Sequence, residues 1–231
     1  KSGIINGLSS VKVRNAVVEE GNHRFIKFIE KYSKYFFVII GIGDNMKEIV
    51  IATKNAHKIV EMKKVLEPLG YQVLTLFDFE EFPEIIEDGT TFKENALKKA
   101  KELSLYLNKD VISDDSGLEV FALNNQPGVY SARYAGEDVT YDDNNKLLLE
   151  NLKDVEDRQA RFVTTVCLYR LGKEPIYFED YLNGTISREY KGSNGFGYDP
   201  IFIPEAHEGD KTVSELSDWK QKKTSASISL T

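Results

Sequence analysis

Cysteine is nearly missing from this chain: Cys167 is the only one among 231 residues. No disulfide can close within the chain, which fits a reducing, cytoplasmic setting. Cys167 sits in an alternating apolar run and reads as a core filler rather than a nucleophile. Long hydrophobic runs are missing too. The longest, Tyr35–Ile42, falls well short of the ~20 apolar residues that cross a bilayer. The amino-terminal Lys-Ser-Gly opens no apolar stretch with a cleavage site, so no secretory leader and no membrane partner are expected. Basic charge is in short supply. Thirty Lys and Arg face 37 Asp and Glu, a net charge of −7. That balance argues against a nucleic acid polymer as partner, because polymer binding needs a basic surface. A single nucleotide is still possible, since a few lysines can hold one phosphate chain and a metal ion can bridge acidic protein and phosphate. The glycine-rich phosphate loop, Gly-x-x-x-x-Gly-Lys-Ser/Thr, is absent. So are internal repeats and low-complexity tracts.

What is present is a regular alternation that begins after a break at Gly41–Asn45. Residues 1–45 carry a possible helix at Phe25–Tyr35 and point to no chemistry; they form an extension of unknown role. Residues 46–231 form the main domain. Glu48–Thr53 is expected as a buried strand, and His57–Leu69 as an amphipathic helix stopped by Gly70. Gln72–Leu76 is a second strand and Thr91–Leu107 a long helix. Asp110–Ser113 is a third strand, ending at the acidic pair Asp114-Asp115. Thr140–Leu152 is a helix capped by Thr140 with Asp143 three residues on. Ala160–Arg170 alternates as a strand. Ile176–Tyr190 reads as one or two strands with a turn at Asn183-Gly184. The order implies an α/β fold with a mixed sheet flanked by helices.

Four stretches could carry chemistry. Thr53-Lys-Asn-Ala-His-Lys58 joins a strand to a helix, where unpaired N–H groups and the helix dipole favour an anion. Taken alone, the stretch reads more readily as a plain polar helix cap. Asp114 and Asp115 follow a buried strand, where adjacent carboxylates invite a hard cation such as Mg2+ or serve to take a proton from water. The bland alternative is an acidic turn. Glu87 to Asn95, with Lys98 and Lys99, mixes acids and lysines as a metal–polyphosphate site would, or as a solvated helix face would. Gly192 to Pro200 sets glycines around Phe196 and Tyr198. These aromatics could stack on a base whose edge Asp199 reads, or pack into the core.

In order and combination these stretches closely resemble the inosine triphosphate pyrophosphatase family, which sanitises the nucleotide pool. The matching segments are Ile51 to Lys58, Gly89 to Ala96, Asp114 to Leu118, Pro127 to Gly136 and Gly195 to Phe202. The resemblance implies a long mixed sheet dividing two lobes with a nucleotide cleft, and a homodimer. It implies that Thr53, Lys54, Asn55, Ala56, His57 and Lys58 wrap the triphosphate. Glu87 and Asp115, with Asp114 beside it, would hold Mg2+, and Lys99 would contact phosphates. Asp115 would be the general base, Ser116 would touch substrate, and Phe196, Gly197, Tyr198 and Asp199 would form the base pocket. The implied reaction is Mg2+-dependent hydrolysis of ITP, dITP or XTP to monophosphate and pyrophosphate.

The sequence departs from the family near its end. The family has a lysine, matched here by Lys220 or Lys222, then Ser-His-Arg and a helix; Ser225-Ala226-Ser227 or Thr224-Ser225-Ala226 stands at the triplet. Reduced activity is therefore expected relative to a complete member. The alternatives are a pyrophosphatase for other nucleotides, a nucleotide-binding protein with impaired turnover, and an interaction module.

Overall fold

A computed structural model describes residues 47–205 and 209–216. The extension at 1–45, the helix expected at Phe25–Tyr35, Lys220 and the altered triplet lie outside these residues. Among the described residues, seven strands form one mixed sheet in the order β2-β1-β3-β5-β6-β7, with β4 paired to β3. The strands are β1 (Lys47–Ile51), β2 (Tyr71–Thr75), β3 (Val111–Val120), β4 (Gln126–Gly128), β5 (Gln159–Tyr169), β6 (Ile176–Ile186) and β7 (Phe202–Pro204). The helices are α1 (Ala56–Leu66), α2 (Phe92–Leu107) and α3 (Tyr141–Asn151). The expected α/β class is borne out. No helix among the described residues is long and apolar enough to cross a membrane.

Packing divides the chain into two units. The first takes the described residues up to Asp115 together with Thr165–Glu179; the second takes Ser116–Thr164 and those from Asp180 on. In the first unit β1 lies between β2 and β3, parallel to both. A central parallel strand is covered on both faces, so it reads as a continuous apolar run. Alternation sends Ile49 and Ile51 to one core with Met62 and Leu66 of α1. Val50 and Ala52 go to another with Ala96, Ala100 and Leu103 of α2. Cys167 belongs to this second core, fully buried, and burial pushes its thiol pKa up to about 12. It is a core filler, as expected.

The second unit is built around Leu118, Val120, Leu148, Leu152, Phe162, Ile201 and Phe202. Its Pro127–Gly136 segment is an internal hub. The Ser131 hydroxyl accepts from Leu118 N–H at 2.8 Å and donates to the Gly128 carbonyl at 2.6 Å. Asn144 of α3 grips the same segment at Ala135 N–H and the Ala132 carbonyl.

Three expectations are corrected. The third strand does not stop at Ser113 but runs to Val120, so Asp114 and Asp115 lie inside β3. Two acids and a glycine look like a turn, yet partners on two helices satisfy them within the strand. Asn183-Gly184 is not a turn either, because β6 runs through it. A Cβ on Gly184 would lie 2.2 Å from the Ile203 carbonyl oxygen and 2.6 Å from the Phe202 ring. The glycine allows β7 to approach. Finally, α1 ends at Leu66 rather than Leu69, and the chain tightens into a 3-10 turn around Pro68 before Gly70 turns at φ 85°.

Candidate active site

The end of β1 and the start of α1 place the first set of groups. Asn55 Oδ1 accepts from Lys58 N–H at 3.3 Å, and Thr53 Oγ1 accepts from Asn55 N–H at 3.2 Å. Both side chains thus turn the chain into the helix, as a polar cap does. Lys54 extends over the Phe82 ring, 5.4 Å from its centroid.

Strand alternation divides the acidic pair of β3. Val111 and Ser113 face α2, where the Ser113 hydroxyl donates to the Ala96 carbonyl at 2.6 Å. Ile112 faces the α1 core. By the same period, Asp114 meets α1 and Asp115 meets α2. Asp114, with a side chain 1% exposed, pairs with Lys58 Nζ at 2.5 Å. Asp115 Oδ2 accepts from Asn95 Nδ2 of α2 at 3.0 Å. One turn further along α2, Lys99 pairs with Glu87 at 2.9 Å. On the exposed rim of the same helix, Lys98 pairs with Asp88 at 2.6 Å.

Lys58 and Asp115 each sense their charged neighbours. Burial lowers the Lys58 pKa, but the charge and hydrogen bond of Asp114, then the charges of Asp115 and Glu87, outweigh it and hold the pKa above the ordinary lysine value. Burial pushes the Asp115 carboxyl up to about 6, and Glu87 adds to that. Lys99, the Asn95 hydrogen bond and Lys58 pull it back without cancelling it. Two lysines thus face three carboxylates in this cluster, and burial keeps the Asp115 carboxyl raised in spite of them. A hard cation with oxygen ligands suits that deficit. Mg2+ commonly takes one or two protein carboxylates and completes its shell with water and phosphate. Among the described residues no group of three or more His, Cys, Asp or Glu is arranged to hold a metal alone. Glu87 and Asp115, whose charges interact, are the candidates for the sparser pattern.

The remaining candidates lie in the second unit. Ser116 Oγ bonds to Thr164 Oγ1 at 3.3 Å. In the 192–200 loop, Gly195 and Gly197 take φ of 91° and 60°, values that favour glycine. Phe196 is half-buried, and its N–H donates to the fully buried Asp199 carboxylate at 3.1 Å. Tyr198 takes the second of the two readings open to it, core packing. Its ring is in the core, and its hydroxyl donates to the Ser131 carbonyl at 2.9 Å. Sequence reasoning did not single out Asn95 as a partner of Asp115. The signal was its position on the apolar stripe of α2, between Phe92 and Ala96, where a polar side chain has to find a buried partner.

Comparison with known proteins gives these groups a context. A model of the Ham1 family matches residues 49–228. The chain is 48% identical over 182 residues to the dITP/XTP pyrophosphatase of Bacillus licheniformis, covering 78% of this chain and 92% of that relative. It is 46% identical over 180 residues to the dITP/XTP pyrophosphatase of Bacillus subtilis, covering 77% and 90%. The structure of the Staphylococcus aureus Ham1 protein superposes with a TM-score of 0.69 at 43% identity, over 76% of this chain and 89% of that one. With most of its length matched at this identity, the chain belongs to the Ham1 family.

Proposed function

We propose that this protein hydrolyses dITP, ITP and XTP between the α and β phosphates, releasing monophosphate and pyrophosphate and clearing aberrant nucleotides from the pool. The observation that carries the reading is the cluster of Lys58, Lys99, Glu87, Asp114 and Asp115, with Asp115 raised to about 6. A carboxyl with that pKa is ionised at neutral pH yet basic enough to take a proton. The resemblance to named dITP/XTP pyrophosphatases supports the substrate class.

In this reading Asp115 accepts the proton of the attacking water. The oxygen–phosphorus bond forms as the bridging bond of the anhydride breaks, and pyrophosphate leaves. Lys99 exchanges Glu87 for phosphate oxygens, Lys58 turns its remaining N–H donors to them while keeping Asp114, and the 53–58 turn offers its N–H groups. Asp114 keeps Lys58 charged and in place. Glu87 and Asp115 would hold Mg2+, with Asp114 nearby; the ion would neutralise phosphate charge. Catalysis then rests on positioning and electrostatics, as is usual in phosphoryl chemistry. The family resemblance assigns the base to the 196–199 loop, with Phe196 as its stacking aromatic. A site that hydrogen-bonds a 6-oxo purine rejects adenine, which presents a donor where O6 accepts. We further expect the enzyme to be cytoplasmic and to scatter light as a homodimer.

The test is a panel of ITP, dITP, XTP, dTTP and ATP with Mg2+, measuring monophosphate and pyrophosphate, with Asp115→Asn as control. Turnover of the 6-oxo purines alone is expected. Turnover of none of them, or equal turnover by the control, refutes the reading. The residues around Ala226 and Ser227 favour a second reading, of binding with impaired turnover. Installing His and Arg there (Ala226→His with Ser227→Arg) is expected to raise the rate; equal rates remove that reading.

A further inference from the structure

Asn95 is 1% exposed, and both ends of its amide are engaged. Oδ1 accepts from Gly89 N–H at 2.8 Å, and Nδ2 donates to Asp115 Oδ2 at 3.0 Å. The partners fix which end is which: a backbone N–H can only donate, and a carboxylate accepts. The Gly89 end is built for this contact, since a Cβ there would lie 2.6 Å from Asn95 Oδ1 and 2.9 Å from Glu94 Cβ. The α2 turn carrying Asn95 is itself pinned to β3 by the Ser113 hydroxyl on the Ala96 carbonyl, two residues before Asp115. Glu87 lies two residues before Gly89.

We propose that Asn95 is a positioning residue: its amide holds the Asp115 carboxylate in one orientation and ties it to the Gly89 turn, so that Asp115 and Glu87 meet the substrate at a fixed spacing. The role rests on the phosphate-anhydride reading above. An apolar helix face gains nothing from a polar residue at this position unless its partners need it. Here both partners belong to segments that carry the reacting acids.

Three variants test it. Asn95→Leu keeps the branched shape and removes both hydrogen bonds. Asn95→Asp keeps the acceptor for Gly89 and replaces the donor by a second carboxylate. Gly89→Ala displaces the amide without altering it. Partners that orient a reacting carboxylate are typically worth ten- to hundredfold. Each variant is therefore expected to lower kcat by about tenfold or more at saturating nucleotide and Mg2+, while KM moves by less than about threefold. A fault of folding alone would instead reduce the amount of active protein and leave the kcat of the folded fraction unchanged. In the 15N-labelled full chain, the Asn95 side-chain amide resonance is expected to shift on Asp115→Ala. Leu and Asp variants with kcat within about twofold of native, or an amide resonance unmoved by Asp115→Ala, overturn the proposal. If the native protein hydrolyses none of the triphosphates, the functional reading fails, and the amide resonance alone decides whether Asn95 holds Asp115.

Discussion

Asp115 is asked both to be buried and to be charged, and the conflict has measurable consequences. Its pKa rises from 3.8 in the open chain to about 6 in the fold. A carboxyl raised in this way binds its proton more tightly when folded. Its favourable contribution is present below about pH 4 and is lost as pH rises through about 6. At pH 7 the ionised group therefore destabilises the metal-free fold by about 3 kcal/mol. With chelator present, Asp115→Asn is expected to be more resistant to urea than native protein at pH 7, by up to about 3 kcal/mol. The difference should shrink toward zero near pH 4. The same substitution should abolish turnover, a trade of activity for stability. In native enzyme, kcat/KM is expected to fall as pH drops through about 6 and the base is protonated. Lys58 faces the opposite situation. Removing it with Lys58→Met takes the lysine counter-charge from Asp114, whose side chain is 1% exposed, at an expected loss of up to about 3–5 kcal/mol. Adding Asp114→Asn should recover much of that, which a double-mutant cycle on denaturation data would read. The charged members of this cluster were legible in the sequence, because acids and lysines following strands are chemically conspicuous. The pairing of Asn95 with Asp115 was not, and the choice for Tyr198 between base stacking and core packing stayed open, since burial and partner choice come from the third dimension.

Elements were legible where local chemistry fixes them. Thr91 caps α2 by accepting from Glu94 N–H at 3.1 Å, and the Glu94 carboxylate reaches back to Thr91 N–H. Thr140 and Asp143 repeat the arrangement on α3. Both start signals could be read from spacing alone. Thr91→Ala is expected to lower stability by about 1 kcal/mol in thermal or urea unfolding, and to loosen the turn that presents Asn95. Elements were illegible where the signal was a neighbour's. Glycine at 184 reads as a turn in one dimension, but its cause is the carbonyl of Ile203 on β7. Gly184→Ala should therefore lower stability by about 1–3 kcal/mol. A simple loss of turn propensity would change it by much less. The acidic pair misled in the same way: its counter-charge and donor come from α1 and α2, far away in sequence.

For the molecule as a whole, charge decides how a nucleotide can be held. The chain carries −7 overall, and the ionic cluster of the first unit has two lysines against three carboxylates. A triphosphate brings several further negative charges. Local lysines cannot balance that sum, so nucleotide binding should require a divalent cation, not merely be improved by one. The fold class was readable because the strand–helix order and the family resemblance agreed, and neither depends on tertiary detail. The charge balance needed the geometry, which shows which acids share the lysines. A ligand that binds only the folded state at about one hundred times its Kd adds about 2.7 kcal/mol to stability. We therefore expect native protein to unfold several degrees later with a non-hydrolysable dITP analogue and Mg2+ together. Neither alone should have this effect. A shift with the analogue in chelator would show that the lysines suffice and that the charge argument is wrong. No shift with any such 6-oxo purine triphosphate analogue in native protein would leave the cluster a structural ion network, with no nucleotide to serve.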